Sequence, residues 1–164
     1  FNPRIAKERE YRYYVFNEKN KELFNEVMQL FVGKHDFRNF ARVLDTDIVD
    51  TRRTVKEINV TSRGKVIMCE IRGISFLWHQ VRKMIGAASD VTYWRKELND
   101  IKKGLSGQKI DFTMAKAEFL TLTSIKYDDI KIETVKNERI MRNKYELSKN
   151  DNFFWKEFLW LTKT

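Results

Sequence analysis

The residues best suited to chemistry in this chain are cations and aromatic rings set close together. Arg4, Lys7, Arg9, Arg12, Lys34, Arg38, Arg42, Arg52, Arg53 and Lys56 crowd the first third, interleaved with Tyr11, Tyr13, Tyr14, Phe37 and Phe40. Lysine and arginine neutralise phosphates, and aromatic faces stack on bases, so this mixture suits a nucleic-acid surface better than a uniform solubilising coat. The net charge of +9 points the same way. Charge alone does not decide it, since lysine-rich surfaces also occur on proteins that bind nothing through them.

Other chemistries find little support. His35 and His79 with the single Cys69 are too few ligands for a structural zinc site. Cys69 lies in an apolar strand pattern and reads as buried filler rather than a nucleophile. No Walker loop or GxGxxG occurs, and no motif supports a Ser-His-Asp or Cys-His triad. Asp45, Asp47 and Asp50 cluster, but without the glycine and terminal glutamate of a calcium loop.

These side chains need a scaffold, and 42% hydrophobic residues over 164 positions allow one compact domain with a real core. We expect residues 1–164 to form that single domain, with 128–164 as a C-terminal extension. Tyr11 to Phe16 reads as a strand. Asn17 or Asn20 caps a helix over Leu23, Val27, Leu30 and Phe31, closed by Gly33. Residues 34–52 lack periodicity and read as a loop. Thr54–Thr61 and Lys65–Gly73 alternate around Ser62-Arg63-Gly64, a hairpin pattern. From Phe76 the period becomes helical through Leu77, Val81, Met84, Ala88 and Val91. A charged helix follows from about Tyr93 to Lys103, stopped by Gly104, and a strand near Leu120–Lys126. Strands near Ile130–Val135 and Arg139–Leu147, then a helix capped by Asp151, would complete the chain. The predicted class is α+β: a largely antiparallel sheet flanked by helices. No apolar run reaches the roughly 20 residues of a membrane span, and one cysteine suits a reducing, cytoplasmic setting.

Four ordered segments carry a resemblance. They are Ala6-Lys7-Glu8-Arg9-Glu10-Tyr11-Arg12-Tyr13, Gly33-Lys34-His35-Asp36-Phe37-Arg38-Asn39-Phe40, the run Phe76-Leu77-Trp78-His79-Gln80-Val81-Arg82-Lys83-Met84-Ile85-Gly86, and Ala115 to Leu122. Together they resemble the TruA family of tRNA pseudouridine synthases, the third segment most specifically. Phe119 stands where that family usually has glycine. The family's Arg-Thr-Asp segment, source of its catalytic aspartate, is not in the sequence, which starts Phe1-Asn2-Pro3 and reads as a fragment or processed product.

The resemblance implies a pseudouridine synthase-like fold, isomerisation of uridine to pseudouridine in tRNA, and no metal or organic cofactor. It also implies a homodimer, with tRNA as partner and neither a membrane nor a small-molecule cofactor. It makes Tyr11 and Arg82 the catalytic residues: Tyr11 stacking on the flipped base, Arg82 pairing with the aspartate. Leu120 would line the pocket, while His35, Phe37, Arg38, Arg9, Arg52 and Arg53 would contact RNA. Each also has a plainer reading: Tyr11 as strand packing, Arg82 as a snorkelling cation, Leu120 as core, and 35–42 as a loop capping the sheet. A chain holding only this half would be catalytically silent. The alternative function is a non-catalytic RNA-binding module derived from a synthase half.

Overall fold

A computed structural model describes residues 6–16, 20–43, 50–64 and 66–127. Five strands form one antiparallel sheet in the order β2-β3-β4-β1-β5: β1 Glu8–Phe16, β2 Gly33–Asp36, β3 Arg52–Arg63, β4 Val66–Gly73 and β5 Leu120–Lys126. The helices are α1 Lys21–Gln29, α2 Gln80–Thr92 and α3 Leu98–Leu105, with short 3-10 turns at Arg38–Phe40 and Ala117–Phe119. The α+β class with an antiparallel sheet is as the sequence predicts. The strands and helix expected beyond residue 128 lie outside the described residues, as does the question of a C-terminal extension.

Alternation on the strands decides which face is covered. Tyr13, Val15, Ile58, Ile67, Cys69 and Ile71 point to one side, where Phe24, Val27 and Met28 of α1 and Val81, Met84 and Ile85 of α2 meet them. Burying such side chains contributes roughly 1.5–3 kcal/mol each, which is what holds the two helices on the sheet. The opposite face is laced with charge: Arg12 pairs with Glu70 at 2.6 Å, and Arg72 pairs with Glu57. Glu8 bridges Lys56 on β3 and Lys126 on β5 at 2.9 and 2.7 Å.

Local signals account for most boundaries. The Asn20 side chain accepts from the Leu23 amide at 3.0 Å and starts α1. The hairpin β3–β4 turns where expected, with Gly64 at φ +57°.

Four expectations are corrected. Residues 33–36 are not loop but the edge strand β2, paired with Arg52–Val55. Four residues carry too little alternation to announce a strand, and the partner's backbone supplies the pairing. The helix predicted from Phe76 begins at Gln80, because His79 takes a left-handed φ of 63°. The next helix begins at Leu98 rather than Tyr93. Trp94 sits at φ 58°, and a reciprocal cap between Glu97 and Asp100 nucleates the helix only there. Gly104 lies inside α3 rather than after it, where a Cβ would press the Phe40 and Phe112 rings at 3.0 and 3.2 Å.

Candidate functional site

Tyr11 stands on β1 at a break in register. Glu10 pairs with Ser124 but Tyr11 pairs with Leu122, so Thr123 is the extra residue of a β-bulge. The Thr123 hydroxyl holds the bulge by contacting the Glu10 carbonyl at 3.1 Å and the Glu10 carboxylate at 3.0 Å. Bulges re-aim neighbouring side chains, and this one lies beside the tyrosine. The Phe76 ring meets the half-buried Tyr11 ring edge-on at 5.3 Å. Gly73 makes that approach feasible: a Cβ there would stand 2.8 Å from Phe76 Cζ and 2.9 Å from the Thr54 carbonyl. Tyr11 is therefore fixed along one edge, with its neighbour on β5, Leu122, exposed.

The turn into α2 is built by the segment Leu77-Trp78-His79-Gln80. Buried Gln80 accepts the Leu77 amide at 2.8 Å, and the Trp78 carbonyl accepts the Arg42 amide at 2.9 Å. One face of α2 then receives the chain that leads into β5. Arg82 Nε donates to the Ala115 carbonyl at 2.7 Å, while the Ala115 amide donates to the Arg82 carbonyl at 3.1 Å. One turn on, Gly86 lies so close that a Cβ would stand 1.9 Å from the Thr113 carbonyl. A further turn on, buried Asp90 accepts the Thr113 amide and hydroxyl, both at 2.8 Å, and Arg95 Nε at 2.8 Å. Positions four apart share one helix face, so Arg82, Gly86 and Asp90 form one seam.

That seam explains why arginine and glycine recur four apart here. It also leaves the two terminal nitrogens of the Arg82 fork without a partner among the described residues. A guanidinium anchored at Nε with its far end free is arranged to receive a carboxylate or phosphate.

Tyr13 completes the frame. Its hydroxyl donates to the Lys116 carbonyl at 3.0 Å, next to the carbonyl that Arg82 holds. Burial pushes its phenol up to about 12, against the opposing pull of the Arg82 charge. Burial also lowers His79, assisted by the charges of Arg82, Arg42 and Lys83.

The remaining predicted residues are placed unevenly. Leu120 is half-buried on β5 opposite Tyr13 and packs against the core. Phe37 is fully buried among Phe31, Phe40 and His35, so its ring offers no face to a base in this structure. His35 Nε2 lies 2.9 Å from the Val32 carbonyl, which ties it to the turn that follows α1. Arg38 is exposed. Arg52 is exposed but has its fork on Asp50, at 3.0 and 3.1 Å. Arg53 folds back on the Asp50 and Arg52 carbonyls, and Arg9 reaches the Ile74 carbonyl at 2.9 Å. Asp45 and Asp47 lie outside the described residues.

Cys69 is fully buried with its thiol pushed well up by burial, consistent with filler. Phe119 packs on Tyr13 and Phe16 at ring distances of 6.3 and 5.1 Å and lies against the core. Among the described residues, no group of three or more His, Cys, Asp or Glu is placed to hold a metal, and no helix is long and apolar enough to cross a membrane.

A family profile described as tRNA pseudouridine synthase matches residues 27–128, which include the whole Arg82–Gly86–Asp90 seam and the segment it grips. The chain belongs to that family. Over 164 aligned residues it is 36% identical to a tRNA pseudouridine synthase A of Thermococcus sibiricus, covering 92% of this chain and 59% of the relative. A Pyrococcus abyssi protein of the same name is 37% identical over 135 residues (79% and 50%), and one from Methanobrevibacter smithii 30% over 166 (87% and 56%). The chain therefore spans little more than half the length of these curated relatives. A chain from a solved Cbf5-Nop10-Gar1 complex aligns with a TM-score of 0.41 at 16% identity, over 76% of this chain and 33% of that one. That overlap adds nothing to the assignment.

The sequence alone does not mark Tyr13, Gln80, Gly86 and Asp90 as site residues. The spacing of Arg82, Gly86 and Asp90 was a usable signal: an acid, a glycine and a base four apart on an otherwise apolar helix face need a partner there.

Proposed function

We propose that the protein containing this chain isomerises uridine to pseudouridine in tRNA, and that this chain supplies the tyrosine and arginine side of the active site. In that reaction the bond from C1′ to N1 of uracil breaks, the base turns, and a bond from C1′ to C5 forms. N1 gains a proton and the C5 proton passes to solvent. The base must first leave its stack, at a cost of a few kcal/mol that the pocket has to offset.

The single observation that carries this reading is the anchored Arg82 fork, held by Ala115 with its terminal nitrogens unpaired among the described residues, inside the segment that matches the family. Arg82 would act as a positioning residue. Its fixed charge within about 4–6 Å holds a carboxylate ionised and in one orientation. That carboxylate comes from an Arg-Thr-Asp segment not present in the sequence. Tyr11, braced by Phe76 and the bulge, presents a flat face to the uracil and a phenol beside the sugar. Leu120 closes the apolar side of the pocket, while His35 and Arg38, Arg9, Arg52 and Arg53 supply charge or packing around the RNA backbone. The substrate partner is tRNA, the setting cytoplasmic and the assembly a homodimer, with no cofactor taking part.

The test is tritium release from tRNA carrying uridine tritiated at C5. A polypeptide that extends this chain upstream through an Arg-Thr-Asp segment is expected to release tritium, and the 164-residue chain to release none. Equal release by both would overturn the division of the site. Release by neither, with tRNA still bound, would leave the non-catalytic RNA-binding module as the function.

A further inference from the structure

We propose that Trp78 and Arg42 form a stacking shelf for an unpaired nucleotide next to the one being isomerised; this rests on the functional reading above and adds to it a nucleotide subsite. Trp78 is 59% exposed. It is held in place rather than loose. The Arg42 guanidinium lies over its ring, 4.7 Å from the centroid, and the Arg42 amide donates to the Trp78 carbonyl at 2.9 Å. The His79 ring packs alongside, with centroids 4.5 Å apart and planes tilted by 37°.

The backbone is arranged to expose this ring. His79 adopts φ 63°, a conformation unfavourable for a residue with a Cβ, and that turn separates exposed Trp78 from Gln80, which is 1% exposed. Without it the helix would continue N-terminally and carry Trp78 with it. His79 Nδ1 is buried and has no hydrogen-bond partner among the described residues. Strain and an unmet polar atom at a surface aromatic both suit a binding site.

Charge selects the occupant. The side chains whose charges act on His79 are Arg82, Arg42 and Lys83, all cationic. An aromatic face ringed by two arginines and a lysine, all of one sign, suits a single-stranded polyanion. The Arg82 charge reaches the His79 ring that packs on Trp78, so a strand entering the Arg82 pocket meets the shelf. Flipping the target base unstacks its neighbours, and Trp78 offers one of them a replacement face, with Arg42 at its phosphate.

The experiment is binding of fluorescein-labelled tRNA by the full chain across a salt series, followed by anisotropy. Trp78→Ala is expected to weaken binding roughly 5- to 150-fold, as for loss of one base–aromatic stack. Trp78→Phe keeps most of the affinity. Arg42→Gln lowers the slope of log affinity against log salt by about 0.7–0.9. Trp94→Ala, which removes another exposed indole, changes affinity less than twofold. Should Trp78→Ala fail to fold, Trp78→Leu keeps the bulk without the aromatic face and is expected to lose the same affinity. Unchanged tRNA affinity in the folded variants overturns the shelf and leaves the functional reading standing. A change in sedimentation without a change in tRNA affinity assigns Trp78 to a protein contact and also overturns it. No salt-dependent tRNA binding by the unaltered chain overturns the shelf, while tritium release by the upstream-extended polypeptide still decides the functional reading.

Discussion

Tyr13 and Arg82 hold consecutive carbonyls of one segment: the Tyr13 hydroxyl reaches Lys116 at 3.0 Å and Arg82 Nε reaches Ala115 at 2.7 Å. A strand of the sheet and a helix above it thereby clamp the chain that leads to Leu120. The clamp fixes the guanidinium by its inner nitrogen, which is the arrangement a positioning charge requires.

Gly86 tests whether that approach is as tight as it looks. A Cβ at this position would meet backbone, the Thr113 carbonyl at 1.9 Å, which cannot swing aside as a side chain would. Overpacking costs about 1–3 kcal/mol, and backbone contact puts Gly86→Ala near the upper end. Urea denaturation is expected to show a loss of about 3 kcal/mol. A loss below about 0.5 kcal/mol would mean that the 113–115 segment is free to move off the helix.

Asp90 is the other end of the seam. It is 2% exposed and accepts two hydrogen bonds from Thr113 and one from Arg95. Asp90→Ala strands the Thr113 amide and Arg95, at about 2–4 kcal/mol given that charged hydrogen bonds are worth about 1.5–3 each. Thermal melting checks this, and Thr113→Val should reproduce part of the loss. Additive losses in the double variant would show that the two residues do not act together.

The acid limb of stability should report on Glu8. Hydrogen bonds from Lys126 and Lys56 lower its carboxyl from 4.5 to about 2. A carboxyl depressed in the folded state contributes stability that is fully present above its unfolded value and is lost as pH falls through the folded one. Wild type and Glu8→Gln should therefore differ in melting temperature above pH 4.5 and converge as pH falls towards 2. A constant difference across that window would remove Glu8 as the tie between β3, β1 and β5.

Much of the fold is legible because it is locally encoded. Asn20 three residues before Leu23, alternation on either side of Gly64, and the helical repeat of Val81, Met84, Ala88 and Val91 each carry their own physical signature. What stays hidden depends on distant partners. β2 exists because Arg52–Val55 offers it an edge, and Gly104 sits inside a helix because Phe40 and Phe112 arrive there from elsewhere. Left-handed His79 and Trp94 shift two helix starts, since side-chain type alone does not announce a positive φ. The site follows the same division. Tyr11 and Arg82 stand out by their motifs, yet the reason for Arg82, Gly86 and Asp90 appears only once residues 113–115 lie against them. Phe37 is ambiguous in the sequence because a stacking ring and a core ring are the same residue type.

Arg82 is proposed to hold a catalytic carboxylate. The most direct test is tritium release against pH by the upstream-extended polypeptide, comparing Arg82→Lys with the unaltered protein. Lysine keeps the charge but loses the anchored fork, so release is expected to fall at least about 100-fold. The acid limb of the profile is expected to move to higher pH, because a carboxylate that loses a close guanidinium protonates more readily. A folded Arg82→Lys variant with undiminished release and an unshifted acid limb would contradict the account.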